Sequence, residues 1–75
     1  MIKVREVFKI NGEATVLVCD LFSDSEIGSV IQSNIGQHVN FEVFPIKACF
    51  SQPKTRNILV FGNEDYSKIA TIEFV

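Results

Sequence analysis

Few side chains in this sequence could carry out chemistry, and they are scattered along the chain. His38 is the only histidine among 75 residues, and Cys19 and Cys49 lie thirty positions apart without a CxxC pair. A general base needs a partner within hydrogen-bonding reach, and no sequence signature supplies one for His38. We therefore predict that His38 is a solvent-exposed side chain on the polar face of a strand. The thiols are interpreted as small buried or half-buried groups, which could form a disulfide only if their strands were neighbours.

An acidic cluster follows the first of these cysteines. Asp20, Asp24 and Glu26 stand close together with serines between them, and carboxylates of this kind can bind Ca²⁺ or Mg²⁺. The spacing is not that of an EF-hand loop, whereas Ser23 with Glu26 three positions later is the capping-box pattern of a helix start. We interpret the cluster as a helix cap or a solvated loop. The sequence thus predicts no catalytic residue, no cofactor and no metal site.

The composition favours strands over helices. Nine isoleucines and nine valines stand against three leucines and three alanines, and seven phenylalanines add to the bias. Because β-branched residues lose side-chain freedom in helices and pack well on pleated surfaces, we predict an all-β protein. The length allows a single domain over residues 1–75. A net charge of −2 argues against the usual basic kind of nucleic-acid binder.

The first twenty residues predict a β-hairpin. Residues 2–10 alternate with a period of two, as a half-buried strand does, and Asn11-Gly12 is the preferred pair for a tight turn. Residues 14–21 then form a second strand that is apolar on both faces and should be central or covered. One face of the first strand would carry Ile2, Val4, Phe8 and Ile10, with Glu6 as the exception.

Residues 22–36 allow two interpretations. The capping box at Ser23 and the helical spacing of Ile27, Val30 and Ile31 favour a short helix near residues 24–34. Gly28 in the middle of that element would cost roughly 1 kcal/mol. The alternative is an irregular acidic loop, a turn at Gly28 and a short strand over residues 29–32.

The second half of the chain predicts further strands. Residues 38–50 alternate until Phe44-Pro45, where the proline indicates a bulge or an edge position. Residues 51–56 read as a loop, and residues 57–61 and 69–75 as strands. Strands that are apolar on both faces need a second layer, so we predict a small antiparallel barrel of five or six strands. If residues 24–34 are helical, a curved sheet crossed by one helix is the alternative.

The first half of the chain resembles domain 2 of the translational GTPases, the small β-barrel of elongation factor Tu. That domain opens with a "V-F-x-I" strand, a glycine-containing turn, "T-V-V" and then "V-G-D-x-V". The matching segments here are residues 7–18 and Ile27-Gly28-Ser29-Val30, with a second stretch at residues 57–61. Ala14 and Ser29 depart from the expected glycine and aspartate. The resemblance implies a barrel that binds a partner domain or RNA without catalysing a reaction, and it assigns no functional residues.

The distribution of charge predicts how such a domain would act. Five cations would share one surface if the first strand bordered the 51–56 loop: Lys3, Arg5, Lys9, Lys54 and Arg56. The acidic residues 20–26 would lie on the opposite side, and a dipolar surface of this kind fits recognition of a protein. We therefore predict a non-enzymatic module that binds another protein. The alternative is an RNA- or ribosome-associated barrel that uses the basic face.

The start of the chain carries charges at Lys3, Arg5 and Glu6, with no apolar stretch of signal-peptide length after them. No run approaches the roughly 18 apolar residues that cross a bilayer. We therefore expect a cytoplasmic protein without a membrane partner. Weak self-association is compatible with this class, because the edge strands of small β domains pair readily.

Overall fold

The computed structural model describes residues 1–46 and 54–75, and these residues form an all-β protein. Seven strands lie in this part of the chain, joined by short turns and one 3₁₀ turn at Asp24–Glu26. The strands are β1 (Ile2–Asn11), β2 (Ala14–Asp20), β3 (Ile31–Ser33), β4 (Gly36–His38), β5 (Phe41–Val43), β6 (Thr55–Phe61) and β7 (Thr71–Phe74).

The strands form one antiparallel sheet in the order β4-β3-β7-β1-β2-β6-β5. Strands make up nearly all of the regular structure, so the all-β class is confirmed. The predicted barrel of five or six strands is not observed: the described residues form seven strands in a sheet that does not close. Its two edge strands, β4 and β5, are successive along the chain and separated by two residues. Three peptide steps span at most about 11 Å, so the sheet curls until its edges approach each other.

The core lies inside this curled sheet. Leu17 on β2 and Ile58 and Val60 on β6 are completely buried. Phe74 of β7 packs against Phe41 of β5, with ring centroids 6.0 Å apart, although β5 and β7 lie far apart in strand order. The buried cluster is formed by Val4, Leu17, Cys19, Phe22, Ile31, Ile58, Val60, Tyr66, Ile69 and Ile72.

Two bulges change the faces of β1. Val4 lies opposite Cys19 and Glu6 opposite Val18, so Arg5 is an extra residue, and the register shifts again between Lys9 and Asn11. A bulge reverses the alternation of all residues beyond it. Val7 therefore packs on the core, and Phe8 and Ile10 are exposed. The prediction that Phe8 and Ile10 share a face with Ile2 and Val4 is wrong for this reason.

The first hairpin forms as predicted, with its turn one residue further along. Asn11 pairs with Ala14, so the loop consists of Gly12 and Glu13. The Asn11 side chain accepts a hydrogen bond from the Glu13 N–H at 2.7 Å, a common use of asparagine in turns. Gly12 does not have a positive φ, which the predicted Asn-Gly turn would need.

In residues 22–36 the structure combines parts of both interpretations. A single 3₁₀ turn covers Asp24–Glu26, and the Glu26 carboxylate accepts the Ser23 N–H at 2.7 Å, as in a capping box. The helix ends there, and β3 begins at Ile31. Gly28 lies against the chain end: a Cβ at this position would approach the Val75 carbonyl oxygen to 2.5 Å. The absence of a Cβ at Gly28 lets its backbone pack closely against that of Val75. This contact is between residues far apart in sequence, so a local helix pattern does not reveal it.

Asn34 fixes the turn between β3 and β4 to the segment before β7. Its amide nitrogen donates to the Lys68 carbonyl at 2.9 Å, and its Oδ1 accepts the Ala70 N–H at 2.8 Å.

We expect Asn34→Ala to lower the free energy of unfolding by about 1 kcal/mol, because both bonds are lost at a site that water can reach. Denaturant titration would measure this change. Asn34→Asp keeps the acceptor and loses the donor, so its free energy of unfolding should lie between those of wild type and Asn34→Ala. Equal stability of all three proteins would contradict the proposed role of the two hydrogen bonds.

Candidate functional site

The five predicted basic residues do not form one surface. β1 pairs with β2 and β7, while Lys54 and Arg56 lie on or next to β6 on the far side of β2. Lys3, Arg5 and Lys54 are nevertheless at the same end of the sheet, where β2 ends. Lys9 is at the other end of β1, close enough to Asp65 to contribute to the lowered pKa of that carboxyl, a shift caused mainly by hydrogen bonds from Ser67.

Arg56 is a structural residue rather than part of a basic face. It is 5% exposed, and it points into the core from β6. Its guanidinium donates to the Phe44 carbonyl at 2.8 Å, the Phe22 carbonyl at 3.2 Å and the Asp24 carboxylate at 2.5 Å. It also lies over the Phe22 ring, 4.9 Å from the centroid. The buried guanidinium therefore joins β6 to the 3₁₀ turn and to the end of β5. Its charge is not available to a ligand.

Arg5 is on the surface but is already paired. Its Nε donates to one Asp20 oxygen at 2.6 Å and its Nη2 to the other at 3.2 Å. The Arg5 hydrogen bond is the main reason that the pKa of Asp20 is lowered, and Lys3 contributes to the shift. Asp20 belongs to the acidic stretch that was expected on the opposite side. Lys3 and Lys54 are therefore the cations at this end that form no ion pair among the described residues.

His38 is buried, so the prediction of a solvated histidine is wrong. It is 6% exposed, it shares a 2.8 Å hydrogen bond between its Nε2 and the Ser33 Oγ, and it meets the Tyr66 ring edge to face. Alternation correctly separated His38 from Val39, but Val39 is the exposed one. The inverted assignment arose because β4 is an edge strand whose inner side is closed by Tyr66.

The Ser33–His38 pair does not have the features of a nucleophilic site. The Ser33 hydroxyl also accepts the Ile35 N–H at 3.2 Å and lies 3.1 Å from the Gly36 carbonyl oxygen. Its proton and lone pairs are thus engaged in holding the β3–β4 turn. Burial lowers the pKa of His38, partly opposed by Glu64, which favours the neutral ring of a core side chain.

This burial predicts an acid-sensitive fold. Because the pKa of His38 is lower in the folded than in the unfolded protein, the unfolded chain takes up the proton first as the pH falls through about 6.5. The free energy of unfolding should therefore decrease from about pH 6.5 downwards, before the carboxylates titrate. Denaturant titrations between neutral and mildly acidic pH would show this decrease, and in His38→Gln it should disappear. An identical pH dependence in the two proteins would contradict the role of His38.

Of the two cysteines, the structure describes only Cys19, and its thiol is not reactive. Cys19 is completely buried on β2, and burial raises the pKa of its thiol to about 12. A thiol of this kind is chemically inert. Cys49 lies outside the described residues, as does the end of the predicted 38–50 strand.

The most prominent surface is the side of the sheet that faces away from the core, and we call it the outer face. Leu17, Ile58 and Val60 point inwards, so their neighbours in sequence point outwards. Cross-strand pairing aligns Phe8 with Val16, Val16 with Leu59 and Leu59 with Glu42, in a row across β1, β2, β6 and β5. The full outer face consists of Glu6, Phe8, Ala14, Val16, Val18, Asn57, Leu59, Phe61 and Glu42.

The outer face is apolar at its centre and has no helix or second sheet packed on it in the described residues. Phe8 is 53% exposed, and Val16, Val18, Leu59 and Phe61 remain partly accessible. Contiguous apolar side chains of this kind on a soluble domain usually mark an interaction surface. Sequence analysis recognised that β2 is apolar on both faces, but it placed Phe8 with the inward residues because the bulge at Arg5 was not visible.

The charges around the outer face are unequally distributed. Lys3 and Lys54 lie beyond the end of β2, next to the neutral Arg5–Asp20 pair. Glu42 is level with Phe8, and Glu13 lies in the hairpin loop at the opposite end, where its carbonyl accepts the Gly62 N–H at 2.7 Å. Glu6 stands between the two ends. The outer face itself therefore carries the carboxylates of Glu6 and Glu42, and Lys3 and Lys54 lie outside it.

Comparison with known protein families, with curated proteins and with solved structures finds no match to this chain. Within residues 1–46 and 54–75, no three metal-ligating side chains come together. No helix in the described part of the chain is long and apolar enough to cross a membrane.

Proposed function

We propose that this protein is a non-enzymatic binding module that recognises another protein through its outer face. The observation that carries the proposal is the row Phe8, Val16 and Leu59, which is apolar and uncovered in the described residues. A partner that covers this half-exposed phenylalanine and its aliphatic neighbours would remove apolar surface from water. Aromatic side chains at the centre of protein interfaces contribute to binding in this way.

The charge distribution supports protein over nucleic acid as the partner. Of the five predicted basic residues, Arg56 is buried and Arg5 is neutralised by Asp20. A surface that binds a nucleic-acid backbone needs several free cations along its path. The outer face instead carries the carboxylates of Glu6 and Glu42 and no basic side chain, which disfavours a phosphate backbone as its partner.

The resemblance to domain 2 of the translational GTPases remains a prediction. A barrel of that kind would also act by binding, so the proposed function does not depend on it. RNA or ribosome association is the competing outcome of the following experiment.

The test is affinity capture from a native lysate with matched variants. Tagged wild-type protein, Phe8→Glu and Val39→Glu are compared at low and high salt, with and without nuclease. Val39 is 73% exposed and lies in the β4–β5 link, away from the outer face, so its substitution controls for the added charge. We expect a defined set of proteins that resists nuclease and is retained by wild type and Val39→Glu but lost with Phe8→Glu.

Two outcomes would overturn the proposal. Capture that disappears with nuclease or with salt, and that is lost on changing Lys3 and Lys54 to glutamate, would place an RNA interface beyond the end of β2, where these two lysines lie. Equal capture by Phe8→Glu and Val39→Glu would show that the outer face is not the binding surface.

A further inference from the structure

We propose that Asn11 is a site of covalent self-modification, at which the side-chain amide cyclises onto the backbone nitrogen of Gly12 and is lost as ammonia. The residue is thereby converted to aspartate or isoaspartate. The reaction needs water and no enzyme. It takes place at the tip of the first hairpin and does not depend on what the outer face binds.

The chemistry has two steps. In the first, the Gly12 nitrogen attacks the side-chain carbonyl carbon Cγ of Asn11, so that an N–Cγ bond forms and the Cγ–Nδ2 bond breaks. The proton of the Gly12 N–H leaves with the amide group as ammonia, and a five-membered succinimide ring remains. In the second step, water opens the ring at one of its two carbonyl carbons, which gives aspartate or isoaspartate.

Gly12 makes the attacking nitrogen accessible. A residue without a Cβ allows close approach to its backbone, and the place of a Cβ at residue 12 has nothing within 4 Å. Asn11 and Gly12 are both exposed. The Gly12 N–H has no hydrogen-bond acceptor among the described residues, so ring closure breaks no existing backbone bond at this position.

The Asn11 side chain is held beside that nitrogen. Its Oδ1 accepts the Glu13 N–H at 2.7 Å, which closes an Asx turn. In such a turn the side chain folds back along the chain as a backbone carbonyl would, so its Cγ lies next to the following peptide nitrogen. The Glu13 N–H also points at the oxygen that becomes negative during the attack, as the donors of an oxyanion hole do.

The other four asparagines lack this combination and serve as controls within the same chain. They are Asn34, Asn40, Asn57 and Asn63, and each is followed by isoleucine, phenylalanine or glutamate. The Cβ of such a residue hinders approach to its nitrogen, which glycine does not. Asn34 is restrained further, because both its amide nitrogen and its Oδ1 form hydrogen bonds to the segment before β7.

The modification should loosen the hairpin tip. Either product carries a carboxylate at residue 11, next to the exposed Glu13, and isoaspartate also lengthens the backbone by one carbon. The Glu13 carbonyl accepts the Gly62 N–H at 2.7 Å. A longer backbone at the tip therefore displaces the contact between the first hairpin and the turn after β6, so the modified chain should be less stable than the fresh one.

Incubation of the purified full chain at physiological temperature, followed by peptide mass spectrometry, tests the proposal. The gain in mass from amide to acid should appear at Asn11 before it appears at any other asparagine. It should be faster at mildly alkaline than at neutral pH, because the attacking nitrogen must lose its proton. Isoaspartate should accompany aspartate, as measured by methyl transfer from S-adenosylmethionine catalysed by an isoaspartyl methyltransferase.

Gly12→Ala is the matched variant. Its added methyl meets no neighbouring atom, so the fold is kept, but the methyl hinders the attack and should slow the reaction by about tenfold or more. Thermal unfolding should show a midpoint that falls with the modified fraction in the wild type and stays constant in Gly12→Ala. The urea-denatured wild type, which has no Asx turn, should react more slowly than the folded chain.

Three outcomes would overturn the inference. Modification at Asn11 that is no faster than at Asn63 would refute the site. Aspartate without isoaspartate would show direct hydrolysis of the amide and refute the cyclisation. A faster reaction in the denatured chain than in the folded one would show that the Asx turn protects Asn11 instead of positioning it for attack.

Discussion

Replacing Arg56 with alanine should lower the free energy of unfolding by about 3 kcal/mol. The guanidinium donates to the Phe22 and Phe44 carbonyls and covers the Phe22 ring. Its removal leaves the buried Phe22 carbonyl without a donor, at about 1–3 kcal/mol, removes the donor of the part-buried Phe44 carbonyl, and opens a cavity in the core. A domain of this length has a total stability of about 4–11 kcal/mol, so the variant should unfold at a markedly lower denaturant concentration.

Two companion variants show which part of Arg56 matters. Asp24→Asn removes the ion pair, but Asp24 is 82% exposed, and an exposed carboxylate contributes less than about 1 kcal/mol. Arg56→Lys keeps the charge and cannot reach three acceptors with one ammonium group, so it should resemble alanine more than wild type. If Asp24→Asn were as damaging as Arg56→Ala, the ion pair and not the carbonyl contacts would be the stabilising element.

Gly28→Ala should lower the free energy of unfolding by about 2 kcal/mol. A Cβ at residue 28 would lie 2.5 Å from the Val75 carbonyl oxygen and 3.0 Å from its carbonyl carbon. Both are backbone atoms, held in place by the bonds Ser29 N–H to Val75 O and Val75 N–H to Val30 O. Because the neighbour is not a flexible side chain, the added methyl must displace the end of the β3–β7 pair.

Gly12→Ala is the matched control for that substitution. A Cβ at residue 12 meets nothing within 4 Å, and this glycine does not have a positive φ. Its replacement should leave the stability nearly unchanged, as reported by thermal unfolding of both variants. Hydrogen exchange would localise the damage of Gly28→Ala to the amides of Ser29 and Val75. Comparable stability of the two alanine variants would contradict the close approach at Gly28.

The sequence predicts local structure well where one pattern dominates. Period-two alternation and the turn residues near Asn11 identify the hairpin, and the many isoleucines and valines identify the class. The bulge at Arg5 is different, because it reverses the faces of β1 while the alternation on each side of it stays intact. Glu6 on an otherwise apolar face was the available signal, since it marks the position where the alternation changes side.

Contacts between distant residues account for the remaining errors. Arg56 carries a charge and appears available to ligands, yet its three acceptors come from segments far away in sequence. His38 lies on an edge strand, and its burial depends on Tyr66, a residue of a later turn. The position of β7 between β1 and β3 likewise follows from no local pattern. The outer face could have been predicted only after the strand order and the bulge were known.

The position of β7 also constrains how the protein can fold during its synthesis. β3 and β4 can form a small hairpin early, but they join the sheet only through β7, which also pairs with β1. The β3–β4 hairpin therefore cannot join the sheet until residues 71–74 have left the ribosome. Until that moment the backbone groups of residues 2 and 3 on β1 have no hydrogen-bonding partner, and Ile31 on β3 lacks its pairing partner on β7. A nascent chain of this protein should accordingly depend on late, long-range closure, which makes folding slow and leaves strand edges open to chaperones.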